Sequence, residues 1–207
     1  MYESLNTVEY VLAGGTSIDL RKLDIKWTEV VSQNYNYAYP IALDLDGDGL
    51  NLAAVDSSEV VVRTAGGGIS RVGWVGPTDG FLAVDRDGDG AINKLSELSF
   101  VQDKPGATSD LEGLRTWDTN GDGLLDRNDR DFSKILLFVD ANQNGRSTAR
   151  ELRTLEEAGI AAINLGGVAT GVTRETTTES FVQHTISFIW ADGRTGEIVR
   201  KVLWPTK

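Results

Sequence analysis

Four short stretches carry oxygen-bearing side chains at alternate positions and then a glycine. Residues 44–49 read DLDGDG, with Asp44, Asp46 and Asp48 ahead of Gly49. Residues 85–90 read DRDGDG, with Asp85, Asp87 and Asp89. Residues 118–123 read DTNGDG, with Asp118, Asn120 and Asp122. Residues 140–145 read DANQNG, with Asp140, Asn142 and Asn144. Like charges packed this closely repel unless a cation lies between them. Oxygen ligands at positions 1, 3 and 5 with Gly at 6 form the head of an EF-hand calcium loop. Calcium takes six to eight hard oxygen ligands, and the glycine allows the turn that brings the next carbonyl inward.

The tails of the stretches differ. Position 7 would offer the carbonyls of Leu50, Ala91, Leu124 and Arg146. The third loop has Asp126 at position 9 and Asp129 at position 12, and the fourth has Thr148 and Glu151, so both are complete. The second has Ser96 at position 12, with Glu97 one residue later, so a longer loop could close on Glu97. The first has Val55 there, and must borrow its last ligand or use water. A lone DxDxDG is also an ordinary Asp/Gly turn, but four copies favour metal, and two to four calcium ions are expected. Magnesium suits such loops less, because it demands octahedral geometry and keeps its waters.

The elements around the loops must hold them in place. The loop starts, 44, 85, 118 and 140, have no fixed period, so a solenoid is excluded. IALDL and FLAVD, leading into the first two loops, read as strands. KLSEL opens a helix after the second. SDLEGLRTW reads as a helix capped by Ser109 or Asp110, and TARELRTLEEAGI as a helix stopped by Gly159. DFSKILLFVD is open between helix and strand. The last two loops, 118–151, are the only ones near enough in sequence to form an EF-hand-like pair. From 160 to 205 the chain is β-rich, with a hairpin turning at ADGRTG. In its longer strand Val182, His184, Ile186, Phe188 and Trp190 share a face, where His184 reads as a partly buried polar residue. Residues 1–39 read as a lead-in with strand-like VEYVLA and SIDLRKLDIKW, and residues 40–207 as one module. The fold class expected is α+β: a β-rich domain with embedded EF-hand-like loops and a C-terminal hairpin.

Composition narrows the partners. The chain of 207 residues is 40% hydrophobic and carries a net charge of −11, which disfavours nucleic acid and anionic membranes. With no cysteine it has neither disulfides nor thiolate metal sites. No apolar run is long enough to span a membrane. The start, MYESLNTVEY, has no basic n-region or apolar h-region, so no cleavable signal peptide is expected.

PIALDLDGDGLN, GWVGPTDGFLAVDRDGDGAINKLSEL, LRTWDTNGDGLLDRNDRDFSKILLFVDANQNGRSTARELRTLEEAGIAAINL and SFIWADGRTGEIVRKVLW follow one another in order. Together they resemble the self-processing module of FrpC-like RTX proteins, a calcium-binding region of exported bacterial toxins and adhesins. The resemblance runs from Pro40 to about Trp204. It implies secretion, and folding on calcium followed by cleavage of an Asp–Pro bond at the front edge. The aspartate carboxylate attacks its own backbone carbonyl and expels the proline nitrogen. The anhydride is then taken by a lysine amine or by water. The matching bond here is Tyr39–Pro40, and no Asp–Pro pair occurs anywhere in the chain. A phenol cannot close the five-membered anhydride. The expectation is therefore a calcium-folded module without catalysis, serving another protein or the rest of a larger exported polypeptide. The competing readings are a calcium-triggered self-protease and ligase, which Tyr39 argues against, and a dockerin-like interaction module, for which the chain is too long. A conventional hydrolase is weakest, with one His, no Cys and no G-x-S-x-G.

Overall fold

The computed structural model describes residues 10–11, 17–18, 40–53, 57–63, 69–166, 173–175 and 180–201. The chain divides into two compact units, Met1–Asn36 and Tyr37–Lys207. In the first, β1 (Tyr10–Val11) and β2 (Ser17–Ile18) form an antiparallel pair. The other strand-like readings placed on residues 1–39, and Tyr39 itself, lie outside the described residues.

The second unit is organised by β3 (Ile41–Leu43). This strand is apolar at every position and buried throughout, as a strand covered on both faces must be. Successive side chains go to opposite faces. Ile41 and Leu43 enter one hydrophobic core, with Leu82, Phe100, Leu114 and Phe188, while Ala42 enters a second with Trp74, Phe81, Ala83 and Phe138. Trp74 meets the edges of Phe81 and Phe138 at centroid distances of 4.9 and 6.4 Å.

Short paired segments continue the chain: β4 (Leu52–Ala53) with β7 (Trp74–Val75), and β5 (Val61–Arg63) with β6 (Ile69–Arg71). The later strands are β8 (Gly80–Ala83), β9 (Leu124–Asp126), β10 (Leu136–Phe138), β11 (Leu152–Thr154), β12 (Ile160–Asn164), β13 (Thr173–Glu175), β14 (Ser180–Trp190) and β15 (Thr195–Lys201). They join β3 in one antiparallel sheet of order β11-β10-β8-β3-β15-β14-β12-β9, with β13 also on β14. β14 and β15 are the expected hairpin, with Gly196 directly across from Phe188, whose ring covers the position a Cβ would take. Ile186 and Phe188 are buried on that hairpin. The face assigned to Val182 and His184 lies outside the described side chains.

The expected α+β class with embedded EF-hand-like loops is corrected: among the described residues no loop lies between two α-helices. Among the described residues there is one α-helix, Asp110–Leu114, of five residues, and the sheet dominates. Ser109 is its N-cap, accepting a hydrogen bond from the Glu112 amide. The buried Asp110 carboxylate instead takes the amides of Phe100 and Val101 and the Ser99 hydroxyl, tying the helix to the segment before it. Gly113 is the point of contact, where any Cβ would run into the Phe100 carbonyl. KLSEL is a 3-10 turn, Leu95–Leu98. DFSKILLFVD resolves into a 3-10 turn, Phe132–Lys134, and then β10.

The helix expected over TARELRTLEEAGI is also absent. Leu152–Thr154 pairs with β10, and only one turn follows. In that turn Thr154 and Glu157 cap each other's amides, and Ala158 bonds back to Thr154 before Gly159 reverses the chain at φ 78°. The leucines and glutamates favour helix, but strand pairing outweighs a propensity of a few tenths of a kcal/mol per residue.

Candidate metal centres

All four loops share one backbone design. In the first three, the position 1 carboxylate accepts the amides of positions 4 and 6. These are Asp44 with Gly47 and Gly49, Asp85 with Gly88 and Gly90, and Asp118 with Gly121 and Gly123, at 2.7–3.1 Å. Asp140 takes Asn144 and Gly145 at 3.1 and 2.7 Å. The fold back requires left-handed backbone at positions 4 and 6, and glycine supplies it in the first three loops. The fourth loop has Gln143 at position 4, the one described non-glycine residue with positive φ, 59°. Its side-chain amide donates to the Asp140 carbonyl at 2.7 Å, which helps hold the turn.

Position 3 then accepts from position 5: Asp46 from Asp48, Asp87 from Asp89, and Asn120 from Asp122. Position 5 accepts from position 7: Asp89 from Ala91, Asp122 from Leu124, and Asn144 from Arg146. In the first loop Asp48 takes the Asn51 side chain instead, and Leu50 packs on the second core.

The closing carboxylates repeat a second pattern. Each accepts the amide of the ninth loop residue: Glu97 from Asn93 at 2.9 Å, Asp129 from Asp126 at 3.0 Å, and Glu151 from Thr148 at 3.0 Å. Asp129 also holds the Thr119 amide at 2.6 Å, and Glu151 holds the Asn142 side chain at 2.8 Å. Glu97 is only 1% exposed, and its Oε1 is buried with no hydrogen-bond partner. Burying a carboxylate oxygen unpaired costs several kcal/mol unless a cation receives it.

One oxygen from each of Asp85, Asp87, Asp89 and Glu97 lies within 4.8 Å of the others, and the same holds for Asp44, Asp46 and Asp48. These clusters could hold a metal ion, and the donor set is all hard oxygen, which suits calcium or magnesium rather than softer metals. Lys94 sits on Asp87 and neutralises part of the second cluster. In the first, the Asp48 amide and then the Thr78 hydroxyl hold Asp46 below the usual carboxylate range. Asp48 is pushed up, first by desolvation and then by Asp46 beside it.

The loops do not pair as their order in the sequence suggests. Residues 124–126 of the third loop, as β9, pair with β12, not with the fourth. The fourth joins the second instead: the Ser147 amide donates to the Ile92 carbonyl at 2.8 Å, and the Ile92 amide to Ser147 Oγ at 2.6 Å. Both residues are at position 8 of their loops.

One acid escaped the sequence reading. Asp79, in the turn between β7 and β8, is wholly buried beside the first loop. Its Oδ2 accepts the Asn51 amide at 2.8 Å, while Oδ1 has no hydrogen-bond partner. Burial pushes its pKa up to about 6, and the charges of Asp44 and Asp46 add to the rise. Nothing in GPTDG marks it, because its relation to Asp44 exists only across the sheet.

Pro40 is buried at the head of β3. No described helix is long and apolar enough to cross a membrane. The chain is 36% identical over 146 residues to the iron-regulated protein FrpA of Neisseria meningitidis serogroup C, covering 65% of this chain and 13% of that protein. A family model for the SPM domain matches residues 41–203, and the chain belongs to the SPM domain family.

Proposed function

We propose that this chain is a calcium-binding module of an exported RTX-type protein, folded by its ions and silent in self-cleavage. The observation that carries the reading is the second loop. Three carboxylates converge there with Glu97, whose buried Oε1 has no partner within the protein. Calcium fits better than magnesium, because loops built for six to eight ligands leave little room for an ordered water shell. The repeated backbone design supports the same role for the other three loops. The silence rests on Tyr39, which has no carboxylate to attack the bond to Pro40. The secreted location rests on the family resemblance and on the scarcity of calcium inside cells. The match to a small part of FrpA supports a role as one piece of a longer polypeptide.

Native mass spectrometry of the full chain tests this directly. In millimolar calcium an intact chain with up to four ions is expected. No bound calcium would overturn the reading, and fragments parted between Tyr39 and Pro40 would overturn the silence.

Glu97→Gln gives a sharper check on the second loop. The substitution keeps the size and removes the charge. One calcium should be lost, and the fourth loop should bind about 10-fold more weakly, because Ile92 and Ser147 join the two loops. Calorimetric titration with calcium reads both effects, and an unchanged isotherm would remove Glu97 from the site.

A further inference from the structure

The first loop lacks an acid at its twelfth position, where Val55 stands. We propose that Asp79 closes this loop as its missing acidic ligand, supplied from across the sheet. The proposal rests on the calcium reading of the loops and names a donor that the loop pattern does not contain.

Strand register places the two acids together. β3 and β8 pair Ala42 with Phe81 and Leu43 with Gly80. The next position outward sets Asp44 opposite Asp79. Directly opposed like charges destabilise a sheet, and here both are withdrawn from water, Asp44 to 8% and Asp79 to 0% exposure. Among the described residues no lysine or arginine forms a salt bridge with either. A divalent cation between them removes the conflict.

The hydrogen bonds of Asp79 match those of the other closing acids. Glu97, Asp129 and Glu151 each hold the amide of a ninth loop residue. Asp79 holds the amide of the eighth, Asn51. Glu97 keeps one buried oxygen without a partner, and so does Asp79. Asp79 is not among the three carboxylates that converge within 4.8 Å, and neither Asp129 nor Glu151 belongs to such a group in its own loop. The turn that carries Asp79 is itself fastened to the loop: the Gly76 amide donates to the Asn51 carbonyl at 2.6 Å. Thr78 reaches Asp46 from the same turn.

The first site therefore differs in kind from the others. Its ligands come from two separate segments, the loop after β3 and the turn before β8, so it forms only once β3 and β8 have paired. The test uses the full chain and its variants Asp79→Asn, Asp44→Asn and the two combined. Calcium stoichiometry is read by native mass spectrometry and affinity by calorimetry. Asp79→Asn should lose one ion, with the first site weakened by about 100-fold, since affinity follows the count of charged ligands. The double variant should lose no second ion. If Asp79→Asn binds as many ions as the parent with equal affinity, the assignment is wrong while the calcium reading stands. If the parent binds none, the calcium reading itself fails. Should Asp79→Asn not fold, anomalous scattering from calcium in crystals of the parent decides the matter. An ion in the first loop at roughly 2.3–2.6 Å from an Asp79 oxygen is expected. An ion there without that contact, or a first loop holding no ion, overturns the proposal.

Discussion

Chelating calcium from the full chain is expected to lower its melting temperature by roughly 10–40 °C, or to leave no cooperative transition at all. The buried acids in and beside the loops account for the size of the effect. Asp44, Asp79, Glu97, Asp129, Asp140 and Glu151 are all at most 8% exposed. Each charge taken from water is costly unless it is paired, and the net charge of −11 adds repulsion over the whole molecule. Four bound dications would reduce that charge to about −3. An ion at a hundred times its Kd contributes about 2.7 kcal/mol, so two to four ions supply about 5–11 kcal/mol. That equals the whole stability of a typical domain. Circular dichroism melts in EDTA, calcium and magnesium check this. Equal melting in EDTA and calcium would remove metal from the folding of the module. Magnesium matching calcium would leave metal-driven folding in place and remove the preference for calcium.

Tyr39→Asp is expected to turn an intact chain into a cut one. In the modules this sequence resembles, the residue before the proline supplies the nucleophile from its own side chain. Attack on the adjoining carbonyl is then intramolecular, and such reactions reach effective molarities of about 10⁵ M or more when the geometry is held. The geometry on the proline side is held here. Pro40 is buried, and β3 follows it at once, paired on both edges by β8 and β15. With calcium, the fragment starting at Pro40 should go from undetectable to the main species. Tyr39→Ala should remain whole, and so should Tyr39→Asp in EDTA. Denaturing mass spectrometry separates the species and also finds any lysine-linked adduct of the released N-terminal piece. A Tyr39→Asp chain that binds its calcium and stays whole would show that the missing carboxylate is not the only reason for silence.

How much of this was legible depended on distance along the chain. The loop heads were readable because Asp, Asn and Gly within six residues determine the local turn, down to the amides that positions 1, 3 and 5 accept. β3 and β8 were readable as apolar runs bounded by turn residues. Glu151 to Gly159 was misread because Leu, Glu and Ala favour helix, while the pairing of Leu152–Thr154 with β10 has no trace in the local pattern. The joining of the second and fourth loops was missed for a similar reason. The third and fourth lie closer in sequence, but β9 is engaged by β12. Asp79 was invisible because its significance depends on a register between two strands.

The order of the sheet also bears on timing. Among the described strands of this unit, β3 comes first in sequence and lies between β8 and β15, and β15 comes last. A chain that has not yet delivered residues 195–201 leaves β3 with one open edge. Pairings of such long sequence separation form late and slowly. The segment beside Pro40 is thus locked only after the far end of the module has arrived. A chain cut short of β15 therefore leaves β3 paired on one side alone, whatever the calcium concentration around it.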